Sequence, residues 1–112
     1  MNTSDQIFFE LIDHKLDDAT EAIRKRIFSV CRDMPWTPDQ RKNLQPLVRQ
    51  ELETLILRIL KLFDNVGGVL PNEVSGWTIN NAEDGTDIAV NNADYADMWR
   101  NYLSYRTNSS KL

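Results

Sequence analysis

Apolar residues recur along the first third of the chain at the spacing of a helix. Phe8, Ile12, Leu16, Ala19, Ile23, Ile27, Val30 and Met34 follow one another at steps of three and four and form one stripe. Thr3 followed by Gln6 fits a capping box, in which the two side chains satisfy backbone N–H groups at the helix start. Acidic residues gather in the first half of this segment. Arg24, Lys25, Arg26 and Arg32 gather in the second, which complements the helix dipole. The pattern predicts one long helix from about Ser4 to Arg32. Pro35 ends it by forcing Met34 out of the helical region.

A second helix is signalled at once. Thr37 reads as its N-cap, Pro38 as its first helical position and Gln40 as the capping-box partner. Its stripe is Leu44, Val48, Leu52, Leu55, Ile59 and Leu62. Pro46 falls inside it. Either the helix kinks there, or one helix ends near Asn43 and another begins near Gln45. Farther on the apolar face widens through Ile56, Leu57, Leu60 and Phe63, and Gly67-Gly68 offers a left-handed stop. The two helices are expected to pair as an antiparallel hairpin over about residues 4–66.

After Leu70-Pro71 the period changes. Trp77 and Ile79 alternate with Thr78 and Asn80, and Ile88 and Val90 alternate with Asp87 and Ala89. This predicts a small β-hairpin over about residues 75–90, turning at Asp84-Gly85. A two-residue loop pairs Ile79 with Val90, and a four-residue loop pairs it with Ile88; both keep the apolar side chains on one face. Asn91 or Asn92 then caps a third helix over about residues 92–106, with the stripe Tyr95, Met98, Trp99, Tyr102 and Leu103. Residues 107–112 are polar and expected to fray. The expected fold is mainly α, in an α+β arrangement: a long helical hairpin, a β-hairpin and a C-terminal helix.

At 112 residues, 41% of them hydrophobic, the chain suits a single globular domain. Its one cysteine, Cys31, can form neither an internal disulfide nor a thiolate zinc site, and is expected to serve as a small buried hydrophobe. The most apolar run, Leu55 to Phe63, is too short for a bilayer and is interrupted by Arg58 and Lys61. No apolar signal segment follows Met1 to Asp5. A cytoplasmic protein without a membrane partner is the expectation.

The formal net charge of −4 argues against a nucleic-acid partner, because phosphate binding needs a basic face. The acidity is uneven. Gly67 to Leu112 carries six acids against three bases, and Met1 to Trp36 seven against five. Thr37 to Val66 carries four acids against five bases.

Candidate chemistry is sparse. Glu10, His14 and Asp17 could share a helix face, but they lack the paired Glu-x-x-His motifs of a dinuclear site, so a solvated, ion-paired face is expected. Asn80 to Asn91 superficially resembles a calcium loop. Aligning Gly85 with the invariant glycine puts Ala82 at a ligand position and Asn91 where a bidentate Glu is required. Cys31 lies far along the same helix from the only histidine, and Gly67-Gly68 lacks the context of a phosphate loop. Arg24-Lys25-Arg26 follows a run of acids and reads as an ion-paired helix face. No catalytic residue, metal site or cofactor is expected.

By elimination the chain reads as a non-enzymatic protein-binding protein. The sharpest form is an immunity-type inhibitor of a basic partner such as a toxic nuclease. Glu83, Asp84, Asp87, Asp94 and Asp97 would stand in for substrate phosphates, beside an exposed Tyr95 or Trp99. An alternative is a structural or regulatory homodimer, joined through the broad face of Leu55, Ile56, Ile59, Leu60 and Phe63. A further alternative is a small-molecule-binding domain using the Trp and Tyr residues of the last third.

Overall fold

The computed structural model describes residues 4–64, 76–89 and 93–110, with side chains as far as Thr107. Its described residues form three helices: α1 (Ser4–Val30), α2 (Pro38–Asp64) and α3 (Tyr95–Ser110). The fold is mainly α. The expected α+β arrangement is overturned, because no strand exists among the described residues and the expected β-hairpin is reduced to one antiparallel bridge, Asn80 to Asp87.

Hydrogen bonding explains why the ladder stops. Side chains bind backbone donors of this segment, among them the ladder donor at Thr86. The Asn81 carboxamide oxygen accepts from the Glu83 N–H (2.8 Å), the Asp84 carboxylate from the Thr86 N–H (3.0 Å), and the Asp87 carboxylate from the Ala89 N–H (2.9 Å). The Ile88 N–H does reach the Ile79 carbonyl at 2.9 Å, so Ile79 lies opposite Ile88. The Ile79 N–H then turns to the Tyr95 hydroxyl at 2.8 Å. Val90, the partner in the other register, lies outside the described residues.

The chain divides into two compact units, Met1–Glu10 with Ile56–Leu112, and Leu11–Leu55. In Leu11–Leu55, segments of α1 and α2 run antiparallel: Arg41 lies over the Phe28 ring near the connection, and Arg49 reaches Asp13 and Asp17 farther from it. Beyond Val30 the turn is fastened by Trp36, whose indole N–H donates to the Cys31 carbonyl at 3.0 Å while its ring packs edge-on against Phe28. Cys31 itself is half-buried rather than enclosed. The capping box at the start of α2 forms in both directions, Thr37 N–H to Gln40 Oε1 at 2.9 Å and Gln40 N–H to Thr37 Oγ1 at 3.1 Å. Pro46 lies inside an uninterrupted α2, so no second helix starts near Gln45. The Thr3 box, Gly67-Gly68 and the expected caps Asn91 and Asn92 lie outside the described residues.

The other unit holds most of the buried apolar side chains: Phe9, Leu60, Ile88, Tyr95, Ala96, Met98 and Trp99. Trp99 stacks on Tyr102 with centroids 5.7 Å apart, and Phe9 packs on both rings. Phe63 meets Trp77 and Tyr95 edge-on. The α3 helix continues through Ser110, so the polar end expected to fray is helical at least that far.

The buried rows of α1 and α2 do not coincide with their apolar stripes. In α1 the buried positions are Phe9, Asp13, Leu16 and Thr20, whereas Phe8, Ile12 and Ala19 are half-buried. In α2 Leu60 is buried while Leu55, Ile59 and Leu62 of the stripe are exposed. Two polar side chains can occupy the buried row of α1 because each is satisfied there. Thr20 Oγ1 donates to the Leu16 carbonyl at 2.6 Å, and Asp13 receives Arg49.

Candidate functional site

The five carboxylates expected to meet a partner all lie in the unit of Met1–Glu10 and Ile56–Leu112, and all are exposed. Glu83, Asp84 and Asp87 belong to the turn that follows Asn80, and Asp94 and Asp97 to the start of α3. They are not equivalent. The Thr86 hydroxyl (2.7 Å), then the Thr86 N–H, hold the Asp84 carboxyl below the usual carboxylate range, so its charge persists into mild acid. Asp97 pairs with Arg100 at 3.2 Å. Asp87 accepts the Tyr95 hydroxyl proton at 2.5 Å and therefore also serves the interior.

The aromatic half of the expected contact surface is corrected. Trp99 is 0% exposed and Tyr95 4%, so neither can touch a partner. Both lie on the helical stripe that fills the core, and that periodicity was the signal for their burial. The Tyr95 phenol is pushed up to about 12 by burial first and by its hydrogen bond to Asp87 second. The exposed aromatics are Trp77 and Tyr105.

The face expected to self-associate is split. Leu55 and Ile59 are exposed, Ile56 and Phe63 half-buried, and Leu60 buried. Leu62 joins the exposed set, so α2 presents Leu55, Ile59 and Leu62 at steps of four and three.

Two features carry no sequence motif. Arg49 is the hub of a largely enclosed ion cluster, bonded to Asp13 through Nη2, to Asp17 at 2.7 Å and to Glu53 at 3.1 Å. Desolvation works against its cation, but the hydrogen bonds to Glu53 and Asp13, together with the charges of Asp13 and Asp17, leave the guanidinium pKa raised. The other is a cleft of about 400 Å³ between the first turns of α1 and the face of α3.

Two members of the basic run are ion-paired: Arg24 meets Glu21 at 2.6 Å and Lys25 meets it at 3.9 Å, and the Arg24 hydrogen bond lowers the Glu21 pKa. Among the described residues no three His, Cys, Asp or Glu side chains converge to hold a metal ion, and Asp17 is directed to Arg49. Among them, too, no helix is long and apolar enough to cross a membrane. No family model, curated protein or solved structure matches this chain.

Proposed function

We propose that this chain is a non-enzymatic protein-binding protein whose acidic unit receives a basic protein, as an inhibitor of a nuclease would. One observation supports this reading above others: the charge is segregated between the units. Met1–Glu10 and Ile56–Leu112 carry nine acids against five bases, the whole formal net charge of −4, whereas Leu11–Leu55 carries eight of each. A unit with this negative balance speeds encounter with an oppositely charged surface and disfavours polyanions. Glu83, Asp84 and Asp97 present their charges without being buried in the core.

The test is a pull-down with the whole chain, eluted by a salt gradient, beside the double variant Asp84→Lys with Asp97→Lys. The reading expects one stoichiometric basic partner, released by salt and lost in the double variant. Retention of that partner by the double variant, or indifference to salt, removes it.

A second reading is self-association through α2. Its motivation is the exposed row Leu55, Ile59 and Leu62, at the steps of a helix-pairing seam. Light scattering that finds a dimer in wild type and a monomer in Ile59→Glu supports it. A wild-type monomer at high concentration ends it.

A further inference from the structure

We infer that α2 pairs with α2 of a second copy of this chain in antiparallel orientation, in a register where Glu51 of each copy meets Arg58 of the other. This rests on the self-association reading above and gives that face its direction and alignment. The surface lies on one uninterrupted helix, so its geometry is that of α2 alone. Val48, Leu52, Leu55, Ile59 and Leu62 follow one another at steps of four and three, the spacing of a seam between paired helices. Leu55, Ile59 and Leu62 are 49%, 42% and 44% exposed, and Val48 and Leu52 are half-buried. The next seam position toward the start of the helix is Gln45, so the apolar row stops there. The row spans about 21 Å at 1.5 Å per residue, a small interface suited to micromolar association.

The two flanks of the seam differ, and the difference sets the orientation. One flank carries Arg49, Ile56 and Phe63, all half-buried by their own chain: Arg49 is held by Asp13, and Phe63 packs on Trp77 and Tyr95. The other carries Glu51 and Arg58, both exposed, and no described residue engages either. A parallel two-fold pair sets unlike flanks together. Glu51 and Arg58 would then face the covered apolar side of Ile56 and Phe63, with no charge to meet. An antiparallel two-fold pair sets like flanks together, so open flank meets open flank. Glu51 and Arg58 are seven residues apart, two helical turns along the same flank. Rotation about an axis between them brings each Glu51 to the other copy's Arg58. The same alignment sets Leu52 against Leu55, and Val48 against Ile59, of the second copy. A flank that complements itself under this rotation favours a second copy over an unrelated helix, because one isologous contact satisfies both charges.

The test is sedimentation equilibrium of the whole chain, up to millimolar, with Glu51→Arg, Arg58→Glu and the variant carrying both. Each single reversal should weaken the dimer roughly ten-fold, the scale of two exposed attractive pairs turned repulsive. The double reversal has the net charge of wild type and restores both pairs, so it should dimerise within about two-fold of wild type. Mixed in equal amounts, the two single variants should pair with each other as tightly as wild type pairs with itself. Circular dichroism melts establish that the variants fold. Single reversals that dimerise like wild type, a double reversal that stays weak, or a mixture with no preference for the heterodimer overturns the inference. The two proposals fail separately. A wild-type dimer that Ile59→Glu abolishes but the charge reversals leave unchanged keeps the self-association reading and removes the antiparallel register. A wild-type monomer at millimolar chain, or a dimer that survives Ile59→Glu, removes the reading itself and the inference with it.

Discussion

Asp64, the last residue of α2, caps α3: its two carboxylate oxygens accept the backbone N–H groups of Tyr95 (2.9 Å) and Ala96 (3.0 Å). Asp94 sits at the ordinary N-cap position, and its carbonyl takes the Met98 N–H. The side chain that satisfies the first two donors of α3 nevertheless comes from the helix before it. A carboxylate there also complements the positive end of the helix dipole. Asp64→Ala should lower stability by about 1–2 kcal/mol in urea denaturation, the usual worth of a cap. Asp64→Asn should fall between, because an amide keeps one acceptor oxygen but brings an N–H₂ toward a second donor. An unchanged midpoint in Asp64→Ala would show that the cap contributes nothing.

Tyr95 makes stability sensitive to alkali. Its pKa is raised to about 12 in the fold from an ordinary value of 10.0, so the folded state holds the phenol proton more tightly. The contribution is complete below pH about 10 and declines as pH rises through about 12. Tyr95→Phe should cost about 1–2 kcal/mol at neutral pH, since it leaves the Ile79 N–H without its acceptor. The gap between wild type and variant should narrow above pH about 10, as followed by melting temperature against pH.

Arg49 is expected to be costly to remove alone and inexpensive to remove with its partner. Arg49→Met removes the cation from the enclosed Asp13 carboxylate and should cost about 3 kcal/mol. Adding Asp13→Leu should recover most of that loss, because an apolar pair avoids the desolvation of both charges. A double-mutant cycle by chemical denaturation measures the coupling. Additive losses would mean that the pair is not coupled.

The Thr37 box is local and exposed, so its removal should be felt by α2 alone. Thr37→Ala should cost about 1 kcal/mol, and Thr37→Asp, which can cap equally well, almost nothing. Thermal unfolding followed by circular dichroism distinguishes the two.

Gly85 has φ +73°, and a Cβ there would meet nothing within 4 Å. Gly85→Ala should therefore cost about 1 kcal/mol through backbone conformation alone, and Gly85→Asn less, because asparagine tolerates the left-handed region. A loss in Gly85→Asn equal to that in Gly85→Ala, measured by urea denaturation, would contradict this account.

Local signals sufficed for the helices. The steps of three and four, Pro38 after Thr37, and Gln40 three residues on place α1 and α2 within a few residues, because a helix and its caps are built from neighbours in the chain. The stripe of α3 likewise contained the information that Tyr95 and Trp99 are core residues and not contacts. Tertiary structure decided the rest. Alternation at Trp77 to Ile79 and Ile88 to Val90 looked like strands, yet Tyr95 and local side chains take the donors, and whether a strand persists depends on what its backbone can pair with. How α2 is turned was settled by contacts far along the chain, Arg49 with Asp13, 36 residues away, and Phe63 with Tyr95, and part of its best apolar stripe faces outward. The cap from Asp64 and the Asp5 and Tyr105 cleft unite residues far apart in sequence. Periodicity registers only what lies within a turn or two, and such meetings follow from how whole helices pack.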